Sequence, residues 1–133
     1  MKITSFNPLV SVSIGEVENT VKLFEDMGFV VKHHPVIEEE EFGRLEWVVM
    51  ENESGFRMDI GGLTRNAKSD KAITSIRINV DDFDEGVEFL TSRGFKLVPG
   101  QSKPVETASL KSALYMSSTG FLIALVYHKK DRK

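Results

Sequence analysis

The chain has no cysteine, which excludes disulfides, thiolate metal sites and cysteine nucleophiles. It has no apolar run approaching the roughly 20 residues needed to span a bilayer, so no membrane partner is expected. It has little net charge: −3 is too mild to argue for nucleic acid or an anionic membrane surface as partner. The first residues, Met1-Lys2-Ile3-Thr4-Ser5-Phe6-Asn7-Pro8, lack the apolar stretch of a secretory signal, and a cytoplasmic protein is expected. Gly61-Gly62 is not followed by the Lys-Ser/Thr of a phosphate loop, and no Gly-x-Ser-x-Gly elbow occurs. The basic end, from His128 to Lys133, has no interleaved aromatics and reads as a solvated terminus rather than an RNA contact.

What is present is an internal repeat. Residues 16–29 match residues 82–95 at an offset of 66, and both read as amphipathic helices. Val17, Val21 and Phe24 fall on one face of the first, and Phe83, Val87 and Leu90 on one face of the second. Acidic residues open both (Glu16, Glu18; Asp82, Asp84, Glu85), where they complement the helix dipole. Gly28 and Gly94 stand at the stops, where a left-handed cap is usual.

The flanks repeat too. Period-two alternation over residues 9–14 and 75–80 predicts a strand before each helix. Val10, Val12 and Ile14 should lie against the first helix, and Ile76, Ile78 and Val80 against the second. Three strands are expected after each helix: 29–34, 44–51 and 55–60, then 95–98, 109–116 and 121–127. Turn chemistry separates the last two of each set, in residues 51–55 and 117–120. One domain, 1–133, is therefore expected to hold two βαβββ modules, 7–60 and 72–128, joined by a polar linker over 61–71. The fold class is α+β, because consecutive strands follow each helix instead of strict alternation.

A strand, an acidic residue opening a helix, and a Phe/Leu-x-x-x-Gly-Phe ending, repeated twice between Asn7 and His128, resembles the vicinal oxygen chelate superfamily. That group includes glyoxalase I, extradiol dioxygenases and bleomycin-resistance proteins. The resemblance implies a curved mixed sheet of eight strands around a cleft, with helices on the outer face. It also implies a homodimer. Members that use a metal take one ligand from the first and one from the last strand of each module. Counting back seven from Glu16 and Asp82, and forward four from Gly55 and Gly120, puts Leu9, Asp59, Ser75 and Ala124 at those positions. Only Asp59 is a ligand by chemistry, and catalytic metal sites need about three protein donors. No metal and no cofactor is expected.

If the apolar sides of the strands cover the helices, Ser11, Ser13, Arg57, Asp59, Ser75, Arg77 and Asn79 face the other way. In the last strand that side is Leu122, Ala124 and Val126, an apolar wall. Apolar walls with a few placed polar groups are what small-ligand pockets offer. Arg77 has the planar fork to hold a carboxylate or phosphate, and Asp59 can accept from an amine or hydroxyl. Equally, the two can pair with one another or face water. Trp47 is core or interface filler by default, with ligand stacking as the lesser reading. Phe42, Met50, Tyr115 and Met116 default to core. His33 and His34 point to opposite faces of a strand and do not share an ion. The following run, Glu38 to Glu41, reads as a charged hairpin that blunts an edge.

These residues lead to a metal-independent small-molecule binding protein of the glyoxalase and bleomycin-resistance type. The ligand-binding candidates are Ser11, Ser13, Trp47, Arg57, Asp59, Ser75, Arg77 and Asn79. The alternatives are a divergent glyoxalase-like lyase or isomerase using Asp59, with or without a metal, and a non-catalytic dimerisation scaffold. No catalytic residue is assigned beyond Asp59, and fold alone does not choose among the three.

Overall fold

In the computed structural model residues 1–39, 43–63, 72–99 and 103–129 are described. The greater part of the expected linker (64–71), Glu40, Glu41 and Phe42 of the acidic hairpin, and the tail from Lys130 lie outside them. The chain packs as two compact units, one of residues 7–74 and one of residues 1–6 with 75–133.

The unit of residues 7–74 opens with the strand β1 (Ile3–Ser13), most of which it contains, and a short 3-10 turn (Ile14–Glu16). The helix α1 (Val17–Asp26) follows, then β2 (Val30–His33), β3 (Val36–Glu39), β4 (Gly43–Glu51) and β5 (Arg57–Leu63). The strand order is β2-β4-β5-β1, with β3 also beside β4. β4 and β5 are antiparallel because a tight turn joins them: Asn52 Oδ1 accepts from the amides of Ser54 and Phe56 at 3.1 and 2.9 Å. β1 and β5 run parallel, since the helix carries the chain over between them. Val12, Val17, Val48, Met50, Met58 and Ile60 form the core, with Val10, Val21, Phe24 and Phe29 packed against it. One face of this sheet is thus covered by α1, as the alternation predicts.

The other unit repeats the scheme. β6 (Ile73–Val80) leads to α2 (Phe83–Ser92), β7 (Lys96–Leu97), β8 (Val105–Glu106), β9 (Leu110–Met116) and β10 (Leu122–His128). The order is β6-β10-β9-β7, with β8 beside β9, so first, last, third and second strands lie side by side in both units. Val80, Phe83, Leu90, Ala113, Tyr115, Ile123 and Leu125 form its core. The first residues of the chain belong here: Lys2 N donates to Asp81 Oδ1 at 2.6 Å, and Asp81 N to Lys2 O at 3.1 Å. The α-amino group of Met1 pairs with Glu85 in the first turn of α2, and that carboxylate raises its pKa.

The helix stops match at the atomic level. Phe29 N donates to Phe24 O, and Phe95 N to Leu90 O, both at 3.0 Å across five residues. Gly28 and Gly94, at φ +98° and +90°, make the left-handed step that closes each helix this way.

Four details differ from the sequence reading. Ten strands are described, not eight, because β3 and β8 are extra short strands paired to the third strand of their modules. Ile14 lies in the 3-10 turn and not in β1. Ile76 is half-buried and is not among the residues packed around the α2 core. Gly61 and Gly62, assigned to the linker on composition, continue β5. Gly62 is needed there for closeness: a Cβ on it would lie 2.4 Å from Val17 Cγ2.

Candidate functional site

Asp59 is the focus of the first unit. It is wholly buried (0% exposed), on the face of β5 away from α1. Asn7 Nδ2 donates to its Oδ1 at 2.7 Å and the Trp47 indole Nε1 donates to its Oδ2 at 2.9 Å. The ladder explains how a tryptophan gets there. Trp47 stands opposite Gly61, and Val49 stands opposite Asp59. With no side chain at Gly61, the indole has room to reach diagonally to the carboxyl two residues away. Leu9 lies directly beside Asp59 in the parallel ladder, and its Cδ1 would be 3.6 Å from a Cβ on Gly61. Ser11 and Ser13 continue that row, half-buried, in register with Gly61 and Leu63. Arg57 is exposed at the start of β5, opposite Glu51, and takes no place in this cluster.

In the other unit, Ser75, Arg77 and Asn79 project from β6 on the face away from α2. Ala124 and Val126 of β10 are their ladder neighbours: Arg77 is beside Ala124 and Asn79 beside Val126. Ser75 and Arg77 are 5% and 6% exposed. Arg77 Nη2 lies 3.0 Å from His128 Nε2, and a guanidinium has only donors to offer there. His128, read from sequence as an exposed strand end, is half-buried. Ser75 Oγ and Asn79 Oδ1 are buried with no hydrogen-bond partner among the described residues. Such atoms are rare in folded proteins, and each costs about 1–3 kcal/mol unless water or a ligand meets it.

Sequence reasoning missed Asn7 and His128. Asn7 precedes Pro8, a pair that reads as turn chemistry, and its partner is 52 residues away. His33 is exposed, while His34 hydrogen-bonds Glu46 at 2.6 Å, outside either strand-face cluster.

No protein-family model matches the chain, and no curated protein matches it. Solved structures do. A methylmalonyl-CoA epimerase from Mycobacterium tuberculosis is 15% identical with a TM-score of 0.63, over 94% of this chain and 88% of that one. A variant of the Streptomyces coelicolor methylmalonyl-CoA epimerase, in complex with 2-nitronate-propionyl-CoA, is 16% identical with a TM-score of 0.63, over 96% of both chains. A 4-hydroxymandelate synthase mutant from Streptomyces coelicolor reaches 0.53 at 13% identity, covering 92% of this chain and 47% of that one. The chain shares the fold of these structures, consistent with the vicinal oxygen chelate fold expected from the sequence. At these identities the likeness is one of fold alone.

A metal of the vicinal oxygen chelate kind does not fit the residues present. Leu9 and Ala124 have no donor atom, and both oxygens of Asp59 already accept hydrogen bonds from neutral side chains. The ladder puts Arg77, not Ser75, beside Ala124, and a guanidinium repels a cation. Among the described residues no group of three or more His, Asp and Glu is arranged to hold an ion.

Proposed function

We propose that the chain is a metal-independent small-molecule binding protein, with its ligand held against the strand face formed by β6 and β10. The observation that carries this reading is the row Ser75, Arg77, Asn79 lying against the apolar Ala124 and Val126, with two buried polar atoms of the row, Ser75 Oγ and Asn79 Oδ1, lacking partners among the described residues. An apolar wall gives affinity in proportion to buried area, and a few fixed polar groups orient what binds. The first-strand face of the other unit is less suited to a ligand, because Asp59 spends both oxygens on Asn7 and Trp47.

That same arrangement weakens the lyase or isomerase alternative. A general base must reach the proton it takes, and Asp59 is sealed from solvent and held from two sides. The epimerases that share the fold therefore lend this chain no assigned activity. A homodimer in the cytoplasm remains part of the proposal, on the strength of the resemblance.

A thermal-shift screen against small metabolites tests the binding reading, because a ligand at about 100 times its dissociation constant adds roughly 2.7 kcal/mol. The expected result is a stabilising compound whose effect disappears in Ser75→Ala. Elemental analysis of protein purified without chelator tests the other half. Stoichiometric nickel, zinc, manganese or iron would overturn metal independence.

A further inference from the structure

The path of one side chain sets the state of this face. Ser75, Arg77 and Asn79 of β6 and Ala124, Val126 and His128 of β10 project together, because alternate residues of a strand share a side. Arg77 stands in register with Ala124, yet its Nη2 lies 3.0 Å from His128 Nε2. The strand between Ala124 and His128 is about 13 Å long. A guanidinium reaches so far only with its stem laid along the strands, past Asn79 and over Val126. Val126 is 0% exposed although it faces away from α2, and Asn79 Oδ1 is buried beside the same path. A long side chain whose methylenes lie on apolar surface while its head is held at a distance covers that surface.

Resting on the reading of this face as the binding face, we infer that Arg77 is its lid and His128 the latch, released by protonation. The 3.0 Å contact is a hydrogen bond only while Nε2 carries no proton, because a guanidinium has donors alone. An imidazolium has no lone pair to offer and repels a second cation at that distance, so acid separates the two heads. The released stem lifts from Val126 and opens Asn79 Oδ1 to water or ligand. Other charged groups on the surrounding elements do not share in this. Asp81, just past β6, accepts from Lys2 N at 2.6 Å, and Glu106 of β8 accepts from Lys129 Nζ, beside His128, at 2.8 Å. Carboxylates titrate near pH 4, below the imidazole range, and Lys129 draws that of Glu106 lower still. Lys111 of β9 lies over the Phe83 ring, on the α2 side.

Hydroxyl-radical footprinting of the full chain reads the opening, as the oxidation rate of Val126 relative to the exposed Phe56, located by mass spectrometry. The unprotonated fraction of an ordinary imidazole falls from about nine-tenths at pH 7.5 to about one-tenth at pH 5.5. Wild-type Val126 should therefore be oxidised several times faster at pH 5.5, up to about ninefold. His128→Gln keeps an acceptor that acid does not remove, so Val126 stays protected at both pH values. His128→Leu offers no acceptor, and Val126 is open at both. Circular dichroism at each pH confirms that the variants fold.

Equal protection of wild-type Val126 at the two pH values overturns the latch. An acid response in His128→Gln as large as that of the wild type also overturns it, since the titrating group would then lie elsewhere. Val126 protected at pH 7.5 in a folded His128→Leu shows that Arg77 does not need His128 to stay down, with the same consequence. If His128→Leu fails to fold, the wild type and His128→Gln decide between them. No ligand enters these measurements, so failure here strikes the lid, whereas failure of the metabolite screen strikes the binding face.

Discussion

Asp59 shows how much one buried side chain can organise. It joins β1 through Asn7 and β4 through Trp47 to its own strand, β5. Replacing it with alanine removes an acceptor from two N–H donors at once, and each stranded buried donor costs about 1–3 kcal/mol. Asp59→Ala should therefore destabilise the protein by about 2–5 kcal/mol, seen as a lower denaturant midpoint with an unchanged slope. Trp47 is the sole tryptophan, so its emission should shift to the red in the folded variant. A variant as stable as the wild type would show that the carboxyl is not the anchor it looks like. Tyr115 offers a second residue-scale prediction. Burial raises its pKa above the usual 10.0. A raised folded-state value means the native protein keeps a proton that the unfolded chain has lost. This contribution to stability is full below pH 10 and declines as pH rises through the folded-state pKa. Spectrophotometric titration should find a phenol ionising above the ordinary value, and stability should fall in that alkaline window.

Two glycines test packing at the scale of elements. Gly62 brings β5 against the turn that opens α1; an added Cβ would stand 2.4 Å from Val17 Cγ2 and 3.4 Å from Ile14 Cα. Gly62→Ala forces the buried, β-branched Val17 side chain to shift, and overpacking of this kind costs about 1–3 kcal/mol. Gly86, within α2, would place its Cβ 3.1 Å from both Leu125 methyl carbons, which are side-chain ends that can yield by tenths of an ångström. There the gain in helix propensity, up to about 1 kcal/mol, opposes the crowding, and Gly86→Ala should change stability little. Similar melting temperatures for the two variants would contradict this contrast. The elements also show what the sequence could reveal. Alternation along β6 placed Ile78 and Val80 on the helix-facing side, where they pack with the α2 core, but not Ile76, because the period fixes a face and not how far along the strand the helix reaches. Asp82 opens α2 as expected, its Oδ1 accepting from Glu85 N at 3.0 Å, whereas the equivalent Glu16 makes no side-chain cap. β3 and β8 were not legible. They are four and two residues long, and pairing with β4 and β9, not local pattern, makes them strands. The site was legible only as a face: Ser75, Arg77 and Asn79 could be placed by alternation, but the hold of Asn7 on Asp59 and of Arg77 on His128 spans about fifty residues and leaves no local mark.

For the whole molecule, the duplication visible in the sequence returns as two units with the same strand order, and one element is common to both. β1 runs without a break from Ile3 to Ser13, yet residues 3–6 pack with the second module's unit and residues 7–13 with the first. Thr4 Oγ1 reaches Asn79 O at 3.3 Å in one unit, while Asn7 holds Asp59 and Val12 enters the core in the other. One end of this continuous strand gives its contacts to one unit and the other end to the other, so unfolding should be a single cooperative event, as is usual for chains of this length. The aromatic residues provide separate probes. Trp47 reports the unit of residues 7–74, and the only two tyrosines, Tyr115 and Tyr127, lie in β9 and β10 of the other. Tryptophan emission and the tyrosine near-ultraviolet dichroism should follow one denaturant curve with a common midpoint. Asn7→Ala should lower both midpoints together, although its lost hydrogen bond lies in only one unit. Two separated transitions, or a shift of the tryptophan curve alone, would mean that the modules fold independently and that β1 does not couple them.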